Sequence, residues 1–174
     1  VTRLRPLADN RLDLPLLQTA LASAQSAAGD QSGALATLER ALKVSPRNVP
    51  LTVRYAELLL AANRPRDAHQ VLLDVFNVVP PTPAQIRLTA LAASSSGEIG
   101  DAYYYMSEYH VLGGDLPLAA QQLELALAAR DISPIQRQRY AARLQEIREH
   151  LAENDKRRGR RGEQRPDATS GRIG

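Results

Sequence analysis

The residues of this 174-residue chain that could carry chemistry are three histidines, a run of serines and a crowd of tyrosines. His69, His110 and His150 stand far apart, and none belongs to an H-E-x-x-H pair, in which two histidines four apart share a helix face and bind zinc. Glu108 and His110 are two apart and diverge on a helix. The spacing predicts surface or groove histidines and no metal site. Ser94, Ser95 and Ser96 precede Gly97 without the G-x-S-x-G elbow that exposes a nucleophile, so this run reads as a loop. The chain has no cysteine, which removes a thiol nucleophile, a disulfide framework and any Cys-ligated zinc site. No glycine-rich phosphate loop is present. The residues therefore predict no catalytic group, no metal ligand and no cofactor in this chain.

Binding chemistry is better represented. Tyr103, Tyr104, Tyr105 and Tyr109 crowd one segment and cannot all face a core. Tyr103 is expected to pack, and Tyr104 and Tyr109 to be open to contact, because tyrosine and arginine are the usual anchors of interfaces. The net charge of +3 is unevenly spread. Residues 156–172 hold seven basic and two acidic residues, and the rest carries 15 basic against 17 acidic. The body is thus mildly acidic and lacks the basic face of a nucleic-acid binder. The tail has no interleaved aromatics on which bases could stack, and reads as a solvated, disordered segment over 153–174. No apolar run reaches the ~20 residues of a membrane span. Aromatics supply only 4% of the chain, so leucine and alanine must pack the core, which favours helices.

A repeat organises those helices. Ala34, Leu38, Ala41 and Pro46 return 34 residues later as Ala68, Leu72, Val75 and Pro80. Ala22 returns as Ala56, Leu21 as Tyr55, and Gly29 as Asn63, both types that tolerate a left-handed turn. Small residues let two helices approach, and Leu38 and Leu72 fill the groove between neighbouring pairs. Pro46 and Pro80 stop the second helices, Asp30 and Thr82 cap helix starts, and Pro83 suits a first turn. The period and pattern resemble the tetratricopeptide repeat, a helix-turn-helix unit. That resemblance implies an all-α, right-handed α-solenoid of about three helix pairs with a C-terminal capping helix. Residues 12–152 are expected to form it, and residues 1–11 to be the end of a truncated preceding repeat, as in a piece of a longer protein.

Beyond residue 82 two frames compete. Continuing by 34 places Gly97 in the turn and makes 83–95 and 100–112 a pair. Gly114, Ala119, Leu123 and Ala126 instead pair 100–112 with 116–129, and leave 83–95 as an extra helix. The second frame is preferred because its repeat residues are denser. Residues 134–152 read as a final amphipathic helix, with Ile135, Tyr140, Leu144, Ile147 and Leu151 near one face.

Tetratricopeptide arrays bind proteins or extended peptides along a surface lined by first helices. In the preferred frame the resemblance places Thr19, Ser23, Arg54, Glu57, Tyr104 and Glu108 on that lining. Repeats that hold the acidic C-terminus of a chaperone share a Lys/Asn/Lys/Arg clamp, whose first-repeat positions are Thr19 and Ser23 here, so that partner is not expected. Residues 102–151 also resemble the C-terminus of bacterial periplasmic metalloproteases of the β-barrel assembly-enhancing family. The likeness rests on the Tyr-rich helix, on the G-D-L-x-x-A turn at Gly114–Ala119, and on Gln138, Arg139, Tyr140, Ala142, Arg143, Leu144, Ile147 and Arg148. It implies a periplasmic docking domain whose zinc belongs to a protease domain not contained in these residues. Its partners would be the outer-membrane assembly machinery or misfolded outer-membrane proteins. A free-standing adaptor in envelope assembly, secretion or pilus biogenesis is the alternative.

Overall fold

The computed structural model describes residues 5–9, 11 and 14–163. Among them the chain forms nine helices and no strand: α1 Arg5–Asp9, α2 Pro15–Ala27, α3 Gln31–Val44, α4 Val49–Ala61, α5 Pro65–Phe76, α6 Pro83–Ser96, α7 Ile99–Leu112, α8 Leu116–Ala128 and α9 Pro134–Glu163. Proline sits in the first turn of α2, α4, α5, α6 and α8, where its missing N–H is no loss. Asp30 accepts from the Gly33 N–H at 2.8 Å and Asn48 from the Leu51 N–H at 3.1 Å. Thr82 and Gln85 form a capping box.

Four tight turns share one construction. Gly29, Asn63, Gly97 and Gly114 all have positive φ, at 82°, 56°, 88° and 78°. The next residue in each turn donates its N–H to the carbonyl five positions back: Asp30 to Gln25, Arg64 to Leu59, Glu98 to Ala93 and Asp115 to His110, at 2.8–2.9 Å. This closes each helix end with the same 6→1 bond. The turns at Gly97 and Gly114 therefore both form, and the two frames do not exclude each other. α7 packs against α6 and against α8, as a second helix to the former and a first helix to the latter. The preferred frame keeps the repeat burial: Ser107, Ala119, Leu123 and Ala126 are fully enclosed.

The repeat alanines do what their size allows. Ala22, Ala34, Ala56 and Ala68 are completely buried, as are Leu38 and Leu72. Each helix packs chiefly on its sequence neighbours, with α2 also touching α4 and α4 touching α6. That near-neighbour pattern makes the chain an all-α solenoid. Its core comes in segments. One unites α2, α3 and α4 around Leu38 and Leu51, the next unites α4, α5 and α6 around Leu59 and Leu72, and a third unites α8 and α9 around Leu123 and Tyr140. α7 bridges the last two segments, yet its own buried residues are Gly100, Asp101, Ala102 and Ser107. The joint between two apolar segments is small and polar.

Two expectations are corrected at the C-terminal end. Ile135 is 80% exposed and does not share the buried face of Tyr140, Leu144 and Ile147. At about 100° per residue it lies about 140° round the helix from Tyr140. The expected tail begins as helix: α9 runs on through 153–163. Glu, Lys and Arg are good helix formers, and extending an existing helix costs far less than nucleating one. The Arg157 guanidinium also donates to Glu153 at 2.6 Å, with the acid on the favoured N-terminal side. Residues 164–174 of the expected tail, and most of 1–4 and 10–13 at the chain start, lie outside the described residues.

Candidate docking groove

The two sides of α7 have different neighbours. One side, with Ile99, Tyr103 and Met106, closes a groove of about 720 Å³ against α6 and α4. Helix α6 contributes Gln85, Leu88 and Leu91, and α4 contributes Val53 and Glu57, with Gln122 of α8 at the far edge. α6 can do this because it is apolar on more than one side. Ile86 and Ala93 point into the core, while Leu91 stays 56% exposed and Ile99 at the start of α7 stays 40% exposed. Charge at the groove is sparse, with Glu57 and Arg87 at its rim. Such a site recognises apolar side chains and leaves orientation to a few polar groups.

The other side of α7 is joined to α9. Tyr104 stacks on Tyr140 with ring centroids 4.7 Å apart and planes 18° apart, and the Arg139 guanidinium lies 4.5 Å from the Tyr104 ring. Glu108 takes a two-pronged ion pair from Arg143, at 2.8 and 3.0 Å. Burial first, and then the Glu108 charge, raise the Tyr104 phenol above the ordinary tyrosine range. The Arg143 guanidinium is held still more firmly protonated by its bonds to Glu108. A smaller hollow of about 330 Å³ between α5, α6 and this side of α7 includes Tyr104, Tyr105 and Glu108.

The six residues read from the sequence are therefore not brought together. Glu57 lines the groove, and Arg54 is tied to it at 2.8 Å. Tyr104 and Glu108 face α9, where Tyr104 stacks on Tyr140, while Tyr103 packs against the α8–α9 core as expected and also borders the groove. Thr19 turns its hydroxyl back to the Leu16 carbonyl of its own helix at 2.8 Å, and Ser23 is half-buried on α2. Leu88, Leu91 and Met106 were not singled out from the sequence. Their signal is the excess of large apolar residues in α6 beyond what one core face needs.

The histidine expectation is also corrected in part. His69 is 97% buried, with only 3% of its surface exposed. Its Nδ1 contacts the Glu98 carboxylate, its ring meets Tyr105 edge-on at 5.8 Å, and its Nε2 has no hydrogen-bond partner. Asp101, one turn beyond Glu98, takes hydrogen bonds from the Tyr140 hydroxyl and, at 2.8 Å, from the Gln136 amide. Sequence distance concealed this cluster, because three separate helices build it. His110 is half-buried against Tyr109, and His150 sits exposed on α9.

Residues 25–93 match the tetratricopeptide repeat. The matched stretch runs from the end of α2 into α6, where the 34-residue period is read most clearly. Two crystal structures of MamA are similar at 14% and 15% identity. They cover 95% and 76% of this chain and 100% and 96% of their own, with TM-scores of 0.45 and 0.41. No curated protein matches. Residues 25–93 carry tetratricopeptide repeats, a class of module that binds other proteins. No helix among the described residues is long and apolar enough to cross a membrane.

Proposed function

We propose that the chain binds an extended segment of a partner protein in the groove formed by α4, α6 and α7. The observation that carries this reading is the apolar wall that lines the groove, with Leu91 and Ile99 exposed and Leu88 and Met106 half-buried beside them. Binding draws on apolar burial and on Tyr103, while Glu57 and Arg87 set the direction of the bound chain. Peptides selected from a displayed random library on the full chain provide the probe. Leu91→Asp, at an exposed position, keeps the helical circular dichroism and weakens those peptides at least about tenfold, or about 1.4 kcal/mol. Unchanged affinity in that variant contradicts the groove.

Within this reading, the domain is the docking part of an exported zinc metalloprotease that acts in outer-membrane protein assembly, working in the periplasm. The support is the likeness of residues 102–151, above all Gln138, Arg139, Tyr140 and Arg143. The roles of two of those residues in holding α7 are consistent with it: Tyr140 stacks on Tyr104, and Arg143 pairs with Glu108. The reading frame upstream of Val1 tests it. A frame encoding H-E-x-x-H behind an export signal supports the protease, and a frame of further repeats alone contradicts it and leaves a free-standing adaptor.

A further inference from the structure

The polar joint at α7 assembles donors from three residues. One ring nitrogen of His69, one carboxylate oxygen of Glu98 and one of Asp101 lie within 4.8 Å of one another. His69 comes from α5, Glu98 caps α7, and Asp101 follows in its first turn. The spacing of three puts the two carboxylates on one helix face, and the imidazole closes the set from across the interface. We propose that His69, Glu98 and Asp101 bind a divalent first-row transition-metal ion of the zinc type.

Three observations carry this. First, the imidazole is enclosed and only half matched. Its Nδ1 meets Glu98, and its Nε2 is buried without a partner. Buried polar atoms in native proteins are almost always satisfied, so a half-matched imidazole beside two carboxylates calls for a further partner, an ion or a water. A bound cation takes the lone pair of one ring nitrogen and leaves the proton on the other. Second, Asp101 is already oriented. The Tyr140 hydroxyl and the Gln136 amide both donate to Oδ1, and Arg139 stands 3.9 Å from the same oxygen. Such outer partners fix a ligating carboxylate while its other oxygen serves the ion. Third, the charges ask for a cation. Two carboxylates and one guanidinium leave a net negative charge at an interface where Asp101 is only 8% exposed.

The donor set selects the ion. One imidazole with two carboxylates suits zinc and its neighbours, while calcium needs six to eight oxygens, about three to four times the two offered here. Zinc bonds of about 2.0–2.2 Å require the donors to draw closer. Glu98 is placed to do this, because its side chain is 46% exposed and stands at the helix start, already against the imidazole. Bound there, the ion ties α5 to the start of α7, and through Asp101 to Tyr140 and Gln136 of α9. It would thus fasten the two apolar core segments that α7 separates.

Calorimetric titration of the chelator-stripped full chain with ZnCl2 tests the site, with MgCl2 in parallel and Co2+ absorption as a second readout. The site predicts one saturable zinc event, a raised melting temperature and a visible cobalt band, none of them produced by magnesium. Glu98→Gln at the half-exposed position weakens zinc at least about tenfold, and His69→Ala abolishes the event. His110→Ala and His150→Ala leave it unchanged. Should His69→Ala fail to fold, the Glu98→Gln titration decides alone. Absence of saturable binding, or zinc binding that Glu98→Gln leaves intact, overturns the proposal.

Discussion

Single side chains in this protein do either packing or tethering, and the two fail differently. Leu38 and Leu72 are wholly enclosed in their core clusters, each among alanines and larger apolar side chains. Each Leu→Ala change is expected to cost about 2–5 kcal/mol in urea unfolding, since a cavity adds to the lost burial. Leu91, at 56% exposed, is expected to stay within about 0.5 kcal/mol of the parent when changed to a polar residue. The tyrosines add a pH dependence. Burial raises the Tyr104 phenol, with the Glu108 charge second, and burial raises Tyr55 likewise. A group whose folded pKa exceeds its unfolded one contributes stability that is complete below the unfolded value and lost as pH rises through the folded one. The urea midpoint is therefore expected to fall as pH climbs above the ordinary tyrosine value of 10.0. Tyr104→Phe should lessen that fall without removing it, because burial raises Tyr105 and Tyr140 as well, and an equal fall in the variant would contradict the assigned burial. Glycines, prolines and repeat alanines were legible at this scale because their roles follow from local sterics. The pairing of Tyr104 with Tyr140 was not, because it joins residues from different helices.

Helices α6, α7 and α8 follow one another through turns of the same tight kind, and this explains why the repeat frame is ambiguous in sequence. Gly97 and Gly114 both carry the left-handed turn, so either pair satisfies the local rules. Packing of α7 is what distinguishes its two partners. Gly100 is the tightest point: a Cβ there would overlap the Cγ2 of Ile132, in the connection between α8 and α9. Gly100→Ala is expected to destabilise the chain by about 1–3 kcal/mol through overpacking. Ile132→Ala should recover part of that loss when combined with it, and a double-mutant cycle reads the coupling. Strict additivity would show that the two positions do not meet. The end of α9 illustrates the converse limit of sequence reading. Low hydropathy argued for a disordered tail from residue 153, yet helix continues to Glu163, because propagation needs no buried face once a helix is anchored. Pattern rules see the absence of a core contact, and they do not see the turn already formed upstream.

Across the whole molecule, the α-solenoid was legible because each unit repeats its packing locally, so 34-residue spacing carries over directly into stacked helices. The candidate site was legible only in part. Of the expected lining, Glu57 borders the proposed groove from α4, whereas Tyr104 and Glu108 lie on the side of α7 that faces α9. Leu88, Leu91 and Met106 escaped notice because single apolar residues are common on protein surfaces, and only the fold shows that these share one wall. The polar joint escaped for a similar reason, since His69 and Asp101 meet through three helices. We propose this wall as the place where a partner binds. Methyl NMR of the full chain, titrated with a library-selected peptide, tests it most directly. Shifts concentrated at Leu88, Leu91, Ile99 and Met106, with Leu16 and Ile135 unmoved, are the predicted result. Shifts at Leu16 or Ile135 with the groove methyls unmoved would contradict it.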